Sequence, residues 1–97
     1  MPALDVTQKL AEALNAKFAD WTIRAMPGTK FDRISIEMPT NRRTRSAHAF
    51  VERSTGKLYR GLNWRTPAPG AKCVLTVNNL DFIVEGADVL GEYLYEA

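Results

Sequence analysis

The sequence predicts one α+β domain: an N-terminal helix packed on an antiparallel β-meander of about three to five strands, with a short C-terminal helix. Three observations predict it. An apolar stripe at helical spacing runs through residues 6–21, an alternation of period two follows over residues 30–60, and Pro, Gly and Asn punctuate the remainder at close intervals.

Asp5-Val6-Thr7-Gln8 reads as a capping box, with Asp5 as N-cap and Gln8 three residues on. Val6, Leu10, Leu14, Phe18 and Trp21 then recur near helical spacing, with Ala13 beside them. Lys9, Glu12, Asn15 and Lys17 take much of the other face, so a helix is expected over 6–19 with its stripe turned to the core. Residues 21–26 read as a short strand and Pro27-Gly28 as a turn. Over 30–38, Ile34, Ile36 and Met38 point one way and Arg33, Ser35 and Glu37 the other, the period of a half-buried strand. Pro39-Thr40-Asn41 ends it, and the basic run Arg42-Arg43-Thr44-Arg45 is expected at that turn. A strand over 46–53 would place Ala47, Ala49 and Val51 on one face and His48, Phe50 and Glu52 on the other. Ser54-Thr55-Gly56 reads as a tight hairpin connection with glycine at positive φ, and 57–60 as the returning strand. Residues 61–72, with Gly61, Pro67, Pro69 and Gly70, are expected to be irregular. Residues 73–77 read as a strand. Asn78 or Asn79 would cap a short helix carrying Leu80, Ile83 and Val84, interrupted by Gly86 and Gly91, and 92–95 would be a last strand. No repeat or linker divides the chain, so residues 1–97 are read as a single domain.

Composition narrows the function classes. An apolar fraction of 45% and a charged fraction of 25% suit a modest packed core and argue against wholesale disorder. No apolar run approaches the roughly 20 residues that span a bilayer. Met1-Pro2-Ala3-Leu4-Asp5 shows neither the basic nor the apolar region of a secretory signal. Cys73 is the only cysteine, which excludes an intrachain disulfide and suits a reducing compartment. A cytoplasmic protein without a membrane partner is the expectation.

The net charge of +2 conceals a segregation. Residues 42–72 hold Arg42, Arg43, Arg45, Arg53, Lys57, Arg60, Arg65 and Lys72 against Glu52 alone, whereas residues 73–97 hold five acids and no Lys or Arg. Such a block suits an anionic partner, unless the fold brings the two blocks together and neutralises them. The catalytic patterns are missing. His48 is the only histidine and is read as a surface or hydrogen-bonded strand residue; Cys73, opening an apolar run, reads as a small buried hydrophobe. One Cys and one His make no metal cluster of the usual spacing. Ser54-Thr55-Gly56-Lys57 lacks the upstream glycine of a phosphate loop, and Leu58 stands where Ser or Thr should follow. A non-enzymatic protein without a cofactor is expected.

Aromatic residues interleave the basic block. Arg42, Arg43, Arg45, His48, Lys57, Tyr59, Arg60, Trp64 and Arg65 are the candidate nucleic-acid or anion-binding residues, with Phe50 among them. Lys57 and Tyr59 share a strand face, and so do His48 and Phe50. If the two faces coincide, rings stack bases while cations hold phosphates, the chemistry of single-strand binding. The bland alternative makes Phe50, Tyr59 and Trp64 core and the arginines a solvated rim. Two other function classes stay open: a protein-binding module that inhibits or redirects a host or defence protein, its partner a host or phage protein, through the acidic third or the Trp64 loop, and a binder of a small anionic nucleotide between protomers. A sheet edge left open by 46–60 would also let two copies pair as a homo-oligomer.

The stretch His48-Ala49-Phe50-Val51-Glu52-Arg53-x-Thr55-Gly56-x-x-Tyr59, then Trp64, Pro67-Ala68 and Gly70, then Gly91-x-Tyr93-Leu94-Tyr95, is similar to a group of small uncharacterised tailed-bacteriophage proteins. Their pattern reads HAFVD, TGDVYKAASWKAPAKG and GGYLY. Glu52 here replaces the usual Asp, Lys57 replaces an acid, and Arg60-Gly61-Leu62-Asn63 replaces the run before Trp64. The resemblance covers residues 48–95. It implies a phage-borne accessory protein at work in an infected bacterium's cytoplasm, and it implies no activity.

Overall fold

The apolar stripe folds as the helix it predicts: α1, Asp5–Lys17, buries Thr7, Leu10, Ala11 and Leu14. Its start differs from the expected capping box. Leu4 is the N-cap, its carbonyl accepts the Gln8 N–H at 2.9 Å, and no side chain caps the helix. Asp5 is instead the first helical residue, where its charge favours the positive end of the helix dipole. The Leu4 N–H is taken at 2.8 Å by the carboxylate of Asp32, so the chain enters α1 already tied to the sheet. The helix ends two residues sooner than expected. Lys17 reaches the Val84 and Glu85 carbonyls at 2.8 Å, and Phe18 leaves helical geometry.

The computed structural model describes residues 2–38 and 41–94, the side chains of 41–44 excepted. Five antiparallel strands follow α1: β1 (Thr22–Met26), β2 (Phe31–Met38), β3 (Asn41–Glu52), β4 (Lys57–Arg60) and β5 (Cys73–Val74). Their order in the sheet is their order in the chain, so the meander expected from the sequence extends to all five. Gly56, at φ +78°, makes the expected left-handed turn between β3 and β4. The Asn15 amide oxygen on α1 accepts the Ile23 N–H of β1 at 2.7 Å.

Several elements depart from the sequence reading. β3 begins at Asn41, so residues 42–45 are strand and not turn; Pro39 and Thr40 lie outside the described residues. Ile34 pairs with Ala49 but Ser35 pairs with Ala47, leaving His48 as an extra residue in a β-bulge. The bulge breaks the expected alternation: Ala47 does not share the Ala49 and Val51 face, and His48 does not share that of Phe50. The open edge expected at 46–60 is covered over most of its length, because β3 lies between β2 and β4 from Ala49 to Val51 and β4 pairs with β5 at Lys57 and Leu58. β5 is cut to two residues because the Leu75 N–H turns to the Gly56 carbonyl and Thr76 N–H to the Asn79 side chain. Asn79 precedes α2 (Leu80–Glu85) as expected, yet its side chain reaches backwards and does not cap the helix. The expected last strand is a 3-10 turn, Glu92–Leu94, because the Asp88 carboxylate gathers the Glu92 and Tyr93 N–H groups at 3.0 and 3.2 Å; Tyr95 lies outside the described residues.

The core forms between α1 and one face of the sheet. Ile23, Ile34, Ile36, Ala49, Val51 and Leu58 meet Leu10, Ala11 and Leu14, and Leu75, Ile83, Ala87 and Leu94 close the end. Each fully buried Leu or Ile is worth about 1.5–3 kcal/mol of hydrophobic stabilisation. One charge enters this layer. Asp32 is fully buried beside Val51 and forms an ion pair with Arg53, whose guanidinium also donates to the Pro2 carbonyl at 3.1 Å.

Candidate nucleic-acid interface

The face of the sheet turned away from α1 carries cations and rings. Register sets its central row: Met26 pairs with Arg33, Arg33 with Phe50 and Phe50 with Tyr59, so four side chains stand abreast across β1 to β4. Phe31, two residues before Arg33, stands in the next row. Its ring meets Phe50 and Tyr59 edge to face, with centroids 6.1 and 5.8 Å away. The face pairing expected for Phe50 and Tyr59 therefore forms, but Phe50 is only 3% exposed and serves as the floor, while Phe31 and Tyr59 are half-buried.

Trp64 folds onto this face from the irregular segment after β4. The Arg33 guanidinium lies 4.3 Å from its ring centroid and that of Arg45 4.5 Å; Arg33 Nε also donates to the Trp64 carbonyl at 2.7 Å. Two planar cations this close to one centroid leave little indole face open, so Trp64 acts as the holder of two arginines and not as a free stacking ring. The crowding has an electrostatic signature. Burial, then the charges of Arg45 and Arg65, lower the Arg33 pKa from its ordinary value. Among the described residues, no carboxylate forms an ion pair with Arg33, Arg45 or Arg65.

Of the residues expected at this site, Arg45, Tyr59, Trp64 and Arg65 come together here. Lys57 is exposed on β4, and Arg60, half-buried, closes the same strand. Arg42 and Arg43 lie on β3; their side chains fall outside the description. Arg33, Phe31 and Lys30 are the residues missed: all three precede the basic block, although the alternation of Arg33 against Ile34 and Ile36 already placed it opposite the core.

His48 leaves the group. The bulge turns it to the C-terminal segment, where Nε2 lies 2.6 Å from the Tyr93 hydroxyl and the ring meets the Val89 backbone. Burial favours the neutral imidazole, in which one ring nitrogen donates and the other accepts. Burial pushes its pKa down from 6.5 to about 4, against the opposing pull of Asp88 and the Val89 bond. His48 is therefore uncharged near neutral pH and cannot serve as a phosphate cation. Burial and Asp88 together raise the Tyr93 pKa. Gly91 has φ +77°, and a Cβ there would stand 3.7 Å from the His48 carbonyl and 3.9 Å from its ring. Cys73 is half-buried and not fully buried as expected; burial raises its thiol pKa while Lys72 opposes this.

The acidic third presents a second surface. Phe82 is 80% exposed and Leu90 75% exposed, near Asp81 and Glu85. A groove of about 280 Å³ runs beside Phe82, Ile83, Gly86, Tyr93 and Lys72. Among the described residues, no group of three or more His, Cys, Asp or Glu could hold a metal ion, and no helix is long and apolar enough to cross a membrane.

The sequence pattern of DUF7717, a family of unknown function, matches residues 3–96, and the chain belongs to that family. No curated protein and no solved structure matches it.

Proposed function

We propose that this member of a family without an assigned function binds single-stranded nucleic acid across the helix-free face of its sheet. The observation that carries the reading is the Arg33–Trp64–Arg45 stack with Arg65 beside it. Gathering like charges is unfavourable in the free protein, and a phosphate backbone relieves it. The half-buried rings of Phe31 and Tyr59 supply apolar surface for bases beside those cations. The reading assigns no catalytic step. It is compatible with an accessory role in an infected bacterium's cytoplasm, which the phage-like pattern suggests.

Fluorescence anisotropy with a labelled oligothymidylate, read across a salt series, tests it. Affinity should fall with a log–log slope of about −0.7 per phosphate contacted. Arg45→Ala and Arg65→Ala together should flatten the slope by roughly one unit, and Tyr59→Ala should weaken binding with the slope kept. Absence of binding at low salt would sink the reading.

The exposed Phe82 and Leu90 favour a second reading. They lie in a segment, residues 73–97, with five acids and no Lys or Arg, so the matching partner is a basic, partly apolar protein segment. An amphipathic Lys/Leu peptide should shift the amide resonances of residues 80–91, and Phe82→Ser should abolish the shift. Unmoved resonances would remove this reading and leave the first untouched.

A further inference from the structure

The cationic face ends in a cleft. The turn between β1 and β2, residues 27–30, encloses about 220 Å³ with Met26, Lys30, Phe31, Arg33, Phe50 and Arg65. Its end wall is tight: a Cβ on Gly28 would stand 2.3 Å from the Phe31 carbonyl, so the turn can close on that strand only with glycine there. One side is aromatic. Phe31 is fixed from behind by the edge contacts of Phe50 and Tyr59, and the Lys30 ammonium lies 5.5 Å from its centroid. The other side is cationic. Arg33 is common to the cleft and the Trp64 stack; its Nε is bonded to the Trp64 carbonyl, and among the described residues its terminal nitrogens have no hydrogen-bond acceptor, so they can fork an anion. Among the described residues, no Asp or Glu lines the space.

Three cations against a fixed ring select a planar group carrying concentrated negative charge. The volume is below the roughly 300–1,000 Å³ of sites that enclose a whole drug-sized ligand. It suits the end of a molecule. An internal phosphodiester brings one negative charge, whereas a phosphomonoester brings about −1.5 to −2 and three acceptor oxygens. We propose that the cleft is a terminal-nucleotide subsite, taking a nucleoside monophosphate with the base against Phe31 and the phosphomonoester among Lys30, Arg33 and Arg65. The macromolecular source, a phosphorylated strand end, rests on the strand-binding reading above; the chemistry is shared by a free mononucleotide.

The test is isothermal titration with thymidine monophosphate and with oligothymidylates bearing a 5′-phosphate, a 3′-phosphate or neither. One terminal phosphate should tighten oligonucleotide binding about tenfold, the step expected of added charge-assisted bonds. Lys30→Gln with Arg65→Gln, both exposed side chains, should erase that preference while the thermal melt is kept. Thymidine monophosphate should shift the amide resonances of Gly28 and Thr29. Oligonucleotides that bind with a salt slope but ignore the terminal phosphate would overturn the subsite and leave the strand reading standing. Mononucleotide binding lost in the double variant, with every oligonucleotide silent, would do the reverse. A phosphate preference that survives the double variant would also overturn the assignment.

Discussion

Arg33 on β2 and Arg53 just past the end of β3 meet opposite fates. Arg53 lies against Asp32, a fully buried carboxylate that also takes the Leu4 N–H, and through Pro2 it ties the N-terminal segment to the sheet. Arg33, the residue next to Asp32, faces the other side, where its neighbours are an indole, a carbonyl and two further arginines. The same guanidinium is thus a structural counter-ion on one face and a crowded cation on the other. The difference teaches which charges the fold consumes internally and which it holds out. Charge count alone does not separate them, since Arg53 falls inside the basic block and Arg33 outside it.

The largest effect should come from breaking the consumed pair. Arg53→Ala leaves Asp32 buried without its cation and should destabilise the domain by about 3 kcal/mol, read by urea denaturation. A loss below about 1 kcal/mol would erase the distinction between the two arginines.

His48 sharpens the comparison as a basic residue whose charge the fold removes. Its folded pKa of about 4 lies below the ordinary 6.5, so the unfolded chain takes the proton first. Stability is whole above pH 6.5 and falls as the pH drops from 6.5 towards 4, by up to about 3 kcal/mol from this group. Subtracting the stability–pH curve of His48→Gln from that of the native chain isolates the contribution from the carboxylates. Parallel curves would show that the imidazole stays accessible to protons in the fold.

The smallest effect on stability should come from Arg33. Arg33→Met loses a hydrogen bond worth about 1 kcal/mol and two guanidinium–ring contacts, over Trp64 and Phe50, worth about 0.5 kcal/mol each, but relieves repulsion from Arg45 and Arg65 and keeps an apolar stem. The net change should stay within about 1 kcal/mol by the same denaturation, while oligonucleotide affinity drops. A loss equal to that of Arg53→Ala would make both arginines structural.

Local patterns carried most of the fold. The stripe from Leu10 to Leu14 and the alternation of Ile34 and Ile36 are visible because helix and strand periods act over a few residues. The same parity put Asp32 on the core side, but nothing local told that Arg53 would meet it there. The bulge at His48 has no local signature, since it is defined by one extra residue opposite a partner strand, and it alone moves the histidine from Phe50 to Tyr93. Glu92-Tyr93-Leu94 has strand-like composition. Asp88, four residues earlier, draws its N–H groups into a turn instead. The candidate site was half legible: Arg45, Tyr59, Trp64 and Arg65 came from the charge block, whereas Arg33 joined them only through cross-strand register.

The hydrogen bond from Ile23 to Asn15 bears on how other molecules can approach. β1 is the outermost strand on its side, and a helix side chain already occupies its Ile23 donor; on the far side β5 offers only Cys73 and Val74. A foreign strand seeking a backbone template thus finds one border plugged and the other too short to extend. Strand addition at these two borders therefore has little backbone left to pair with.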